Sequence, residues 1–376
     1  MSLVAIPFTD EPAQTVVANV QMAVAHPRVD QVLCVGSGHN ATFSALQRIA
    51  SPEVAVVLQR RLGSKRPGKG DAMNTALLHL LHHTDADRVH FYDADITNFD
   101  PIWIDRAEAA ADTGVDVVRH SFPRASTDAM ITWMITRFGF AALWPDTELP
   151  KIGQPLGGEL LLTRASAETL AADPRVIDRS DWGIDTLYTF ATVQAGLSLH
   201  ETYIPEGKRH HLYGSLHELS TMLNECFGAI QSLAGEPVPT GTPHHATPPT
   251  PAVGEVATAV GYSVDDTIDL LRLGWTERQA RLLQVFPSEV QSGMGALRDY
   301  PSVGFMDEDT WYDTYLRLLT HYDPDDGDWH ELLFRLWVVR VLHYTFTDAL
   351  RGHTAATAYL EGMIERVVSS RLTANS

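Results

Sequence analysis

Residues 71–83 read Asp71-Ala72-Met73-Asn74-Thr75-Ala76-Leu77-Leu78-His79-Leu80-Leu81-His82-His83, between the β-branched runs Val54–Leu58 and Val89–Tyr92. From Met73 the apolar residues recur at i, i+3, i+4, i+7 and i+8, which predicts a helix with one buried face. A helix that joins two strands implies a crossover connection and therefore a parallel strand pair. This part of the chain predicts an α/β fold.

The same alternation of strand and helix patterns continues through the first 235 residues. The other strand candidates are Leu3–Pro7, Gln31–Val35, Asp116–Arg119, Glu159–Leu162 and Leu197–Tyr203. We therefore expect a Rossmann-like, mostly parallel sheet that is covered by helices on both faces.

The pattern stops at residues 236–253, here called the Pro-rich segment, which holds six prolines. Proline lacks a backbone donor and fixes φ, so the segment is interpreted as an extended linker, and its pair His244–His245 as solvated rather than metal-binding. Residues 254–376 show helical patterns only. The sequence thus predicts an α/β domain at 1–235, a linker at 236–253 and a smaller α-helical domain at 254–376. The plausible helix N-caps in the last part are Thr276, Asp307 and Asp328.

Composition excludes several classes of function. The 376 residues include 47 acidic and 28 basic side chains, for a net charge of −19 at pH 7, which argues against a nucleic-acid or anionic-membrane binder. The N-terminus lacks a basic leader, and the most apolar helix candidate, Trp329–Phe346, carries charges; we expect no membrane span and a cytoplasmic protein. Two distant cysteines exclude a disulfide scaffold. Assembly into a homo-oligomer is left open.

Two carboxylates follow the strand candidate Val89–Tyr92, at Asp93 and Asp95. In open α/β sheets ligands bind at the carboxyl ends of strands. Carboxylate oxygens suit Mg²⁺ or Mn²⁺, which take further ligands from water or a substrate diphosphate. The alternative is a structural turn, since Asp-x-Asp is a common tripeptide.

A glycine-rich loop, residues 63–71, precedes the predicted helix and contains Lys69. It nearly matches the phosphate-binding pattern G-x-x-x-x-G-K-[ST], but Gly70 stands where the pattern has a hydroxyl residue. We expect an anion-binding loop whose backbone N–H groups face a phosphate. A kinase or nucleoside-triphosphatase is the alternative.

A third polar loop, residues 203–214, follows the last strand candidate and carries Lys208 and His210. Only four of the 28 basic residues are lysines, and three of them lie in the glycine-rich loop and in the loop at residues 203–214. Together the three loops predict a site for a metal-bound nucleoside diphosphate, as in a nucleotide-sugar transferase or a nucleotidyltransferase.

Longer runs of sequence resemble the mannosylglycerate synthase family, retaining glycosyltransferases of the GT-A fold. The resemblance covers nearly the whole chain and is densest in the runs 66–71, 91–97, 122–133, 154–160, 180–188 and 203–208. It implies transfer of mannose from GDP-mannose to D-glycerate with retention at the anomeric carbon, and a requirement for Mn²⁺ or Mg²⁺. The product, α-mannosylglycerate, is a compatible solute.

The resemblance also implies roles for individual residues. It assigns the metal to Asp95 and His210, with Asp93 beside them. It assigns the donor to Pro7, Phe8, Glu11, Gln59, Lys69, Asp93, Leu156, Gly157, Lys208 and Tyr213. The catalytic candidates are Asp185, Arg124 and Lys69.

Chemistry supports an acceptor site around Arg124, because a guanidinium grips a carboxylate with two parallel hydrogen bonds. Asp128 and Thr132, at i+4 and i+8, are expected on the same face of the following helix, where they would hold acceptor hydroxyls. The alternative for Arg124 is a structural ion pair.

Retention admits two mechanisms. Double displacement needs a carboxylate nucleophile, for which Asp185 and Glu159 are the candidates. We favour front-face attack, in which a donor phosphate oxygen takes the acceptor proton and Asp185 orients the sugar. The alternative for Asp185 is an N-cap or first-turn position in a helix at 185–195.

Other functions compete with this one. One alternative is a related nucleotide-sugar transferase with another donor or acceptor, of the glucosylglycerate type. Another is a non-catalytic sensor that binds a nucleotide sugar without turnover. Donor base, acceptor breadth among glycerate, lactate and glycolate, and the metal are left open.

Overall fold

The computed structural model describes residues 1–210, 214–253, 256, 259–299 and 302–374. Tyr213, one of the predicted donor-binding residues, lies outside the described residues. The chain divides into two compact units. The first, here the sheet unit, comprises Met1–Pro123, Thr147–His211 and Glu236–Gly254; the second, the helical unit, comprises Arg124–Asp146, Leu212–Gly235 and Glu255–Ser376.

These units differ from the predicted division at 1–235, 236–253 and 254–376. The segments 124–146 and 212–235 fall in the helical unit, because their helices pack on the C-terminal helices Gly327–Thr347 and His353–Ala374. The Pro-rich segment falls in the sheet unit.

The sheet unit contains one mixed sheet of eight strands in the order β3-β2-β1-β4-β6-β5-β7-β8. The strands are β1 Ser2–Phe8, β2 Val29–Gly36, β3 Val54–Leu58, β4 Arg88–Phe91, β5 Val117–Ser121, β6 Leu160–Thr163, β7 Leu199–Tyr203 and β8 His244–Ala246. Only β6 runs antiparallel to its neighbours, so the expected mostly parallel sheet is confirmed. All seven strand candidates overlap observed strands.

Strand β8 was not predicted, because it lies inside the Pro-rich segment. Residues 244–247 form its longest run free of proline near the sheet, so their N–H groups can pair. The amide of Thr247 donates to the carbonyl of Glu201 at 2.8 Å, and that of Leu199 donates to the carbonyl of Pro243 at 2.8 Å. Part of the segment is therefore a sheet edge and not a free linker.

Helices cover the sheet as the periodicity predicts. They span Ala13–Val24, Ala41–Gln47, Lys69–His83, Ile102–Ala111, Arg164–Ala172, Pro174–Asp178 and Ile184–Gln194, with a 3₁₀ turn at Leu149–Lys151. In the helix Lys69–His83 the predicted apolar face is buried at Met73, Ala76, Leu77 and Leu80.

An aromatic core lies beneath the carboxyl end of β4. Trp103 is fully buried, and its ring centroid lies 5.2 Å from that of Phe122 and 5.8 Å from that of Phe99. Tyr92 packs edge-on to Phe99 at 4.9 Å. Rigid aromatic packing holds in place the strand end that Asp93 follows.

The helical unit contains a π-helix at Thr132–Arg137 and a set of α-helices. These span Phe138–Leu143, Ser220–Leu233, Val264–Leu271, Glu277–Leu282, Ser288–Ala296, Glu308–His321, Gly327–Thr347 and His353–Ala374, with 3₁₀ turns at Leu216–Leu219, Leu283–Val285 and Ala349–Arg351. The predicted N-caps Thr276 and Asp307 are confirmed. Asp328 is not a cap, because its helix begins at Gly327 and is capped by Asp326.

In the described part of the chain, no helix combines the length and the apolarity that crossing a membrane requires.

Candidate active site

The two carboxylates that follow β4 have different neighbours. Asp93 contacts two lysines, whereas Asp95 lies beside His210, with 3.9 Å between Oδ2 and Nδ1. Both carboxylate side chains are about 30% exposed or less. The two carboxylates at the carboxyl end of β4 therefore have different surroundings: Asp93 lies between two ammonium groups, and Asp95 lies beside an imidazole.

Lys69 joins Asp93 to Asp185. Its Nζ lies 3.1 Å from Asp93 Oδ1 and 3.0 Å from Asp185 Oδ2, and it sits 5.3 Å from the centre of the Trp182 ring. Burial lowers the pKa of Lys69, but the carboxylates of Asp185, Asp93 and Glu159 outweigh it and hold the pKa above its usual range. Lys69 is thus a fixed cation at neutral pH.

Lys208 joins Asp93 to Glu159 in the same manner. Its Nζ lies 2.6 Å from Asp93 Oδ2 and 2.5 Å from Glu159 Oε1. Burial raises the pKa of Asp93, but Lys208 and Lys69 outweigh it and hold the pKa well below its usual range. We call the five residues the strand-end cluster: Lys69, Asp93, Glu159, Asp185 and Lys208.

The strand-end cluster has one more carboxylate than it has ammonium groups, and two of its oxygens are unsatisfied. Asp185 Oδ1 and Glu159 Oε2 are buried and have no hydrogen-bond partner among the described residues. Burial raises the pKa of both carboxyls. Buried acceptors without donors are rare in folded proteins, so these oxygens mark a place that a hydroxyl-bearing ligand can complete.

Gly158 makes room for the cluster. A Cβ atom at this position would lie 2.3 Å from Asp93 Oδ1 and 2.6 Å from Lys69 Nζ. Any side chain at this position would require Asp93 or Lys69 to shift.

Asp95 and His210 are the residues that fit a divalent cation. They offer one carboxylate and one imidazole, a donor set that suits Mn²⁺. Among the residues that the structure describes, no group of three or more His, Cys, Asp or Glu side chains forms a metal site. An ion held by two protein ligands takes the rest of its shell from water and a substrate diphosphate, which such ions accept.

The predicted nucleotide-side residues lie at the neighbouring strand ends. Pro7 and Phe8 end β1, and the amide of Gln59, just after β3, donates to the Gly36 carbonyl at 2.8 Å. Glu11 accepts the Thr9 amide at 2.6 Å. Burial raises the pKa of Glu11, and the charges of Asp95 and Asp10 raise it further.

The glycine-rich loop does not have the structure that we expected. Its N–H groups at Leu62 and Gly63 donate to Asp71 Oδ1, and that of Ser64 donates to Asp178. A Cβ atom at Gly63 or Gly70 would lie 2.1 Å from a carbonyl oxygen of the 178–180 segment. These glycines thus allow close packing, and the N–H groups of Leu62, Gly63 and Ser64 are used within the protein, so that part of the loop does not form the expected phosphate cradle.

The predicted sugar-pocket residues Leu156 and Gly157 lie in the 153–158 loop, between the 3₁₀ turn and β6. The amide of Gly157 donates to the Gln154 carbonyl at 3.0 Å. Its carbonyl accepts the guanidinium of Arg119 at 2.8 Å. The loop is therefore firmly held next to Gly158.

The acceptor candidates lie in the helical unit. Arg124 Nη1 donates to Asp128 Oδ2 at 3.2 Å, which is an ion pair of the kind considered above as the alternative for Arg124. They are not on a helix, because the chain becomes helical only at Met130, after Ala129 with φ of +59°. Thr132 is the first residue of the π-helix, so the expectation of one shared helical face was wrong.

Three contributions were missed by the sequence analysis. Gly158 gives no local signal, because the atoms that require it come from distant segments. Glu159 was considered only as a nucleophile, and Trp182 was not singled out. The helix Ile184–Gln194 is preceded by Gly183 at its N-cap position, so Asp185 lies in the first turn without capping it.

Comparisons with known proteins place the chain. The family described as "Mannosylglycerate synthase, GT domain" matches residues 2–232, and "Mannosylglycerate synthase C-terminal domain" matches residues 256–364. A mannosylglycerate synthase of Rhodothermus marinus is 54% identical over 374 residues, which cover 97% of this chain and 94% of that protein. One of Selaginella moellendorffii is 51% identical, over 97% of this chain and 89% of that protein.

Solved structures agree on the fold. A glucosyl-3-phosphoglycerate synthase of Mycobacterium tuberculosis, in complex with Mn²⁺, UDP-glucose and phosphoglyceric acid, has a TM-score of 0.51 at 22% identity, covering 64% of this chain and 81% of that chain. At this identity the likeness shows the GT-A type fold alone. With both family domains matched and more than half of the residues shared with a full-length relative, the chain belongs to the mannosylglycerate synthase family.

Proposed function

We propose that the protein transfers mannose from GDP-mannose to D-glycerate and gives α-mannosylglycerate with retention at the anomeric carbon. The observation that carries this proposal is the unsatisfied Asp185 Oδ1 in the strand-end cluster, whose Asp93 follows the same strand as Asp95 of the Asp95–His210 pair. A sugar hydroxyl would donate a hydrogen bond to Asp185 Oδ1. A diphosphate would supply further ligands to a metal ion held by Asp95 and His210. Family membership supplies the identity of donor and acceptor.

On the donor side, Asp95 and His210 would hold a Mn²⁺ or Mg²⁺ ion, which neutralises charge on the departing diphosphate. Lys69 keeps a permanent positive charge close by and fixes the carboxylate of Asp185. Asp185 then accepts a hydrogen bond from a hydroxyl group of the donor sugar and stabilises positive charge that develops at the anomeric carbon. Pro7, Phe8, Glu11 and Gln59 are assigned to the nucleotide, and Leu156, Gly157 and Lys208 to the sugar and diphosphate.

On the acceptor side, we assign the glycerate carboxylate to Arg124. Its guanidinium already binds the carboxylate of Asp128, so the chemistry of the pairing is present in the chain. Asp128 and Thr132 would accept and donate hydrogen bonds to the hydroxyl groups of glycerate.

Front-face substitution is the mechanism that the side chains support best. Glu159 has no exposed surface, which argues against it as a nucleophile. Lys69 binds Asp185 Oδ2, and we assign the remaining oxygen, Oδ1, to a hydroxyl of the donor sugar and not to covalent attack. The acceptor oxygen bonds to the anomeric carbon as the bond to the diphosphate breaks on the same face. The acceptor proton passes to a phosphate oxygen of the departing GDP.

The test is an activity screen with GDP-mannose, GDP-glucose and UDP-glucose against D-glycerate, lactate and glycolate, with Mn²⁺ or Mg²⁺ and NMR of the product. We expect α-mannosylglycerate from GDP-mannose and D-glycerate. A preference for a glucose donor would support the glucosylglycerate alternative, and release of no nucleotide with any pair would refute the proposal. A mannosyl adduct on Asp185 or Glu159, detected by mass spectrometry, would overturn the front-face mechanism.

A further inference from the structure

We propose that His244, acting through Glu201, positions the 153–158 loop and thereby sets the affinity for the donor sugar. The inference rests on the proposed function, because that function gives the loop its role. It assigns the Pro-rich segment a part in the active site, although nothing in its sequence resembles a catalytic motif.

The first step is the contact between Glu201 and the loop. Both oxygens of Glu201 accept the amide of Gly153, at 2.9 and 3.1 Å, and Oε1 also accepts the amide of Gln154 at 3.3 Å. Glu201 is 4% exposed. A buried carboxylate with two loop amides fixes the start of the loop, since charged hydrogen bonds in a dry site are strong.

The second step is the contact between His244 and Glu201. His244 Nε2 lies 3.1 Å from Glu201 Oε2, and its Nδ1 lies 3.6 Å from Glu148 Oε2, just before the 3₁₀ turn that leads into the loop. The His244 side chain is 8% exposed. Its ring therefore contacts two carboxylates: Glu201, which binds the first residues of the loop, and Glu148, which precedes the loop in sequence.

The third step is the strand that holds His244 there. Strand β8 pairs in parallel with β7, with His244 opposite Leu199 and Ala246 opposite Glu201. The hydroxyl of Thr242 donates to the Val193 carbonyl at 3.2 Å. The Pro-rich segment is thus held to the helix Ile184–Gln194 before His244 and to strand β7 from His244 onward, and the prolines limit the freedom of the chain around it.

The fourth step connects the loop to the cluster. The Thr189 hydroxyl donates to the Pro155 carbonyl at 2.7 Å, and Arg119 donates to that of Gly157. Gly158 follows directly and packs against Asp93 and Lys69 without room for a Cβ atom. Only four residues separate Gly153 from Gly158, so we expect a shift at Gly153 to alter the position of the loop beside the ion pair at the donor site.

The two histidines of the segment have different surroundings. His245 is exposed and points away from the loop, as alternate residues of a strand do, whereas His244 is enclosed. The described residues contain no three-ligand metal group that would use both. The pair therefore provides its own matched control.

The test compares the variants His244→Ala and His245→Ala with the unchanged protein by steady-state kinetics. For His244→Ala we expect the KM for GDP-mannose to rise about ten-fold, with kcat and the KM for D-glycerate within about two-fold, because loop position affects donor binding. His245→Ala should match the unchanged protein. The variant His244→Gln, which keeps an N–H donor for Glu201, should recover most of the affinity.

Each outcome separates the hypotheses. If the unchanged protein does not turn over GDP-mannose and D-glycerate, the proposed function fails. If it does, and His244→Ala has the same donor KM as His245→Ala, the inference about His244 fails. A fall in kcat alone, with unchanged KM, would show a structural role and also overturn it. Should His244→Ala not fold, the donor KM of His244→Gln against that of His244→Leu, each measured on folded protein, decides in the same way.

Discussion

Two buried clusters of charged side chains lie at strand β4 and around it. They differ in whether every carboxylate oxygen has a hydrogen-bond partner. In the first, the Glu108 cluster, both carboxylate oxygens of Glu108 are saturated. Oε1 accepts the Ser2 hydroxyl and His90 Nε2, and Oε2 meets the guanidinium groups of Arg88 and Arg28. In the strand-end cluster, two carboxylate oxygens have no partner among the described residues.

The difference teaches how to separate structural from functional charge. A buried carboxylate whose lone pairs are all used stabilises the fold, and removal of it leaves cations unpaired. A buried carboxylate with an unused lone pair is costly in the free protein and becomes satisfied when a ligand binds. The Glu108 cluster should therefore govern stability, and the strand-end cluster should govern turnover.

The largest effect should come from Asp95→Ala. Loss of the carboxylate beside His210 removes a metal ligand, so we expect kcat/KM to fall by about 10³-fold or more and the response to added Mn²⁺ to disappear. The control is Asp85→Ala, an exposed residue in the turn before β4. Equal turnover in the two variants would show that Asp95 holds no metal.

Lys69→Ala should have the next largest effect. It removes the cation that joins Asp93 to Asp185, and we expect kcat to fall by about 10² to 10³-fold, as for loss of one electrostatic contact to a transition state. Lys65→Ala, in the exposed part of the same loop, is the matched control and should stay within about two-fold. Similar activities in both variants would contradict the role of Lys69.

Gly158→Ala should lower activity without changing the charge of the strand-end cluster. The added methyl must displace Asp93 or Lys69, and we expect an activity loss of about ten- to a hundred-fold. The unfolding free energy should fall by no more than about 2 kcal/mol, since side-chain tips can move aside. Gly38→Ala, where an added Cβ meets nothing within 4 Å, is the control for both measurements.

Glu108→Gln should have the smallest effect on activity and a large one on stability. Amide hydrogens would face groups that now donate to Glu108, so we expect a loss of about 3 kcal/mol in unfolding free energy and an unchanged kcat.

The pH dependence of stability follows from the same carboxyl group. Burial raises the pKa of Glu108, but His90, Ser2 and Arg88 outweigh it and lower the pKa from 4.5 to about 2. A lowered carboxyl pKa stabilises the fold above pH 4.5, and this contribution is lost as the pH falls toward 2. Denaturant titrations between these values should therefore show a steeper loss of stability in the unchanged protein than in Glu108→Gln.

Sequence reasoning located the fold and the strand end because both depend on local patterns. The periodicity from Met73 predicts the helix that carries Lys69, and the run Val89–Tyr92 predicts the strand that Asp93 and Asp95 follow. Carboxyl ends of neighbouring strands meet at one edge of the sheet. The loops that follow these strands could therefore be predicted to lie close together, although they are distant in sequence.

Features that depend on distant atoms could not be predicted in this way. Gly63 matches the first glycine of a phosphate loop in sequence, but the small size of Gly63 and of Gly70 serves packing against residues 178–180. Gly158 is required by two side chains that lie far from it in sequence. Strand β8 has only three residues among prolines, too few for any pattern to appear.

The most direct test of the central claim is a paired measurement of kcat/KM and unfolding free energy for Asp185→Asn and Glu108→Gln. We expect Asp185→Asn to lose at least about 10²-fold in kcat/KM while its stability changes by about 1 kcal/mol or less, because the cost of burying a charge is removed together with its ion pair to Lys69. Glu108→Gln should show the reverse. If both variants lose activity only in proportion to their loss of folded protein, then unsatisfied and saturated carboxylates do not differ in function, and the account is wrong.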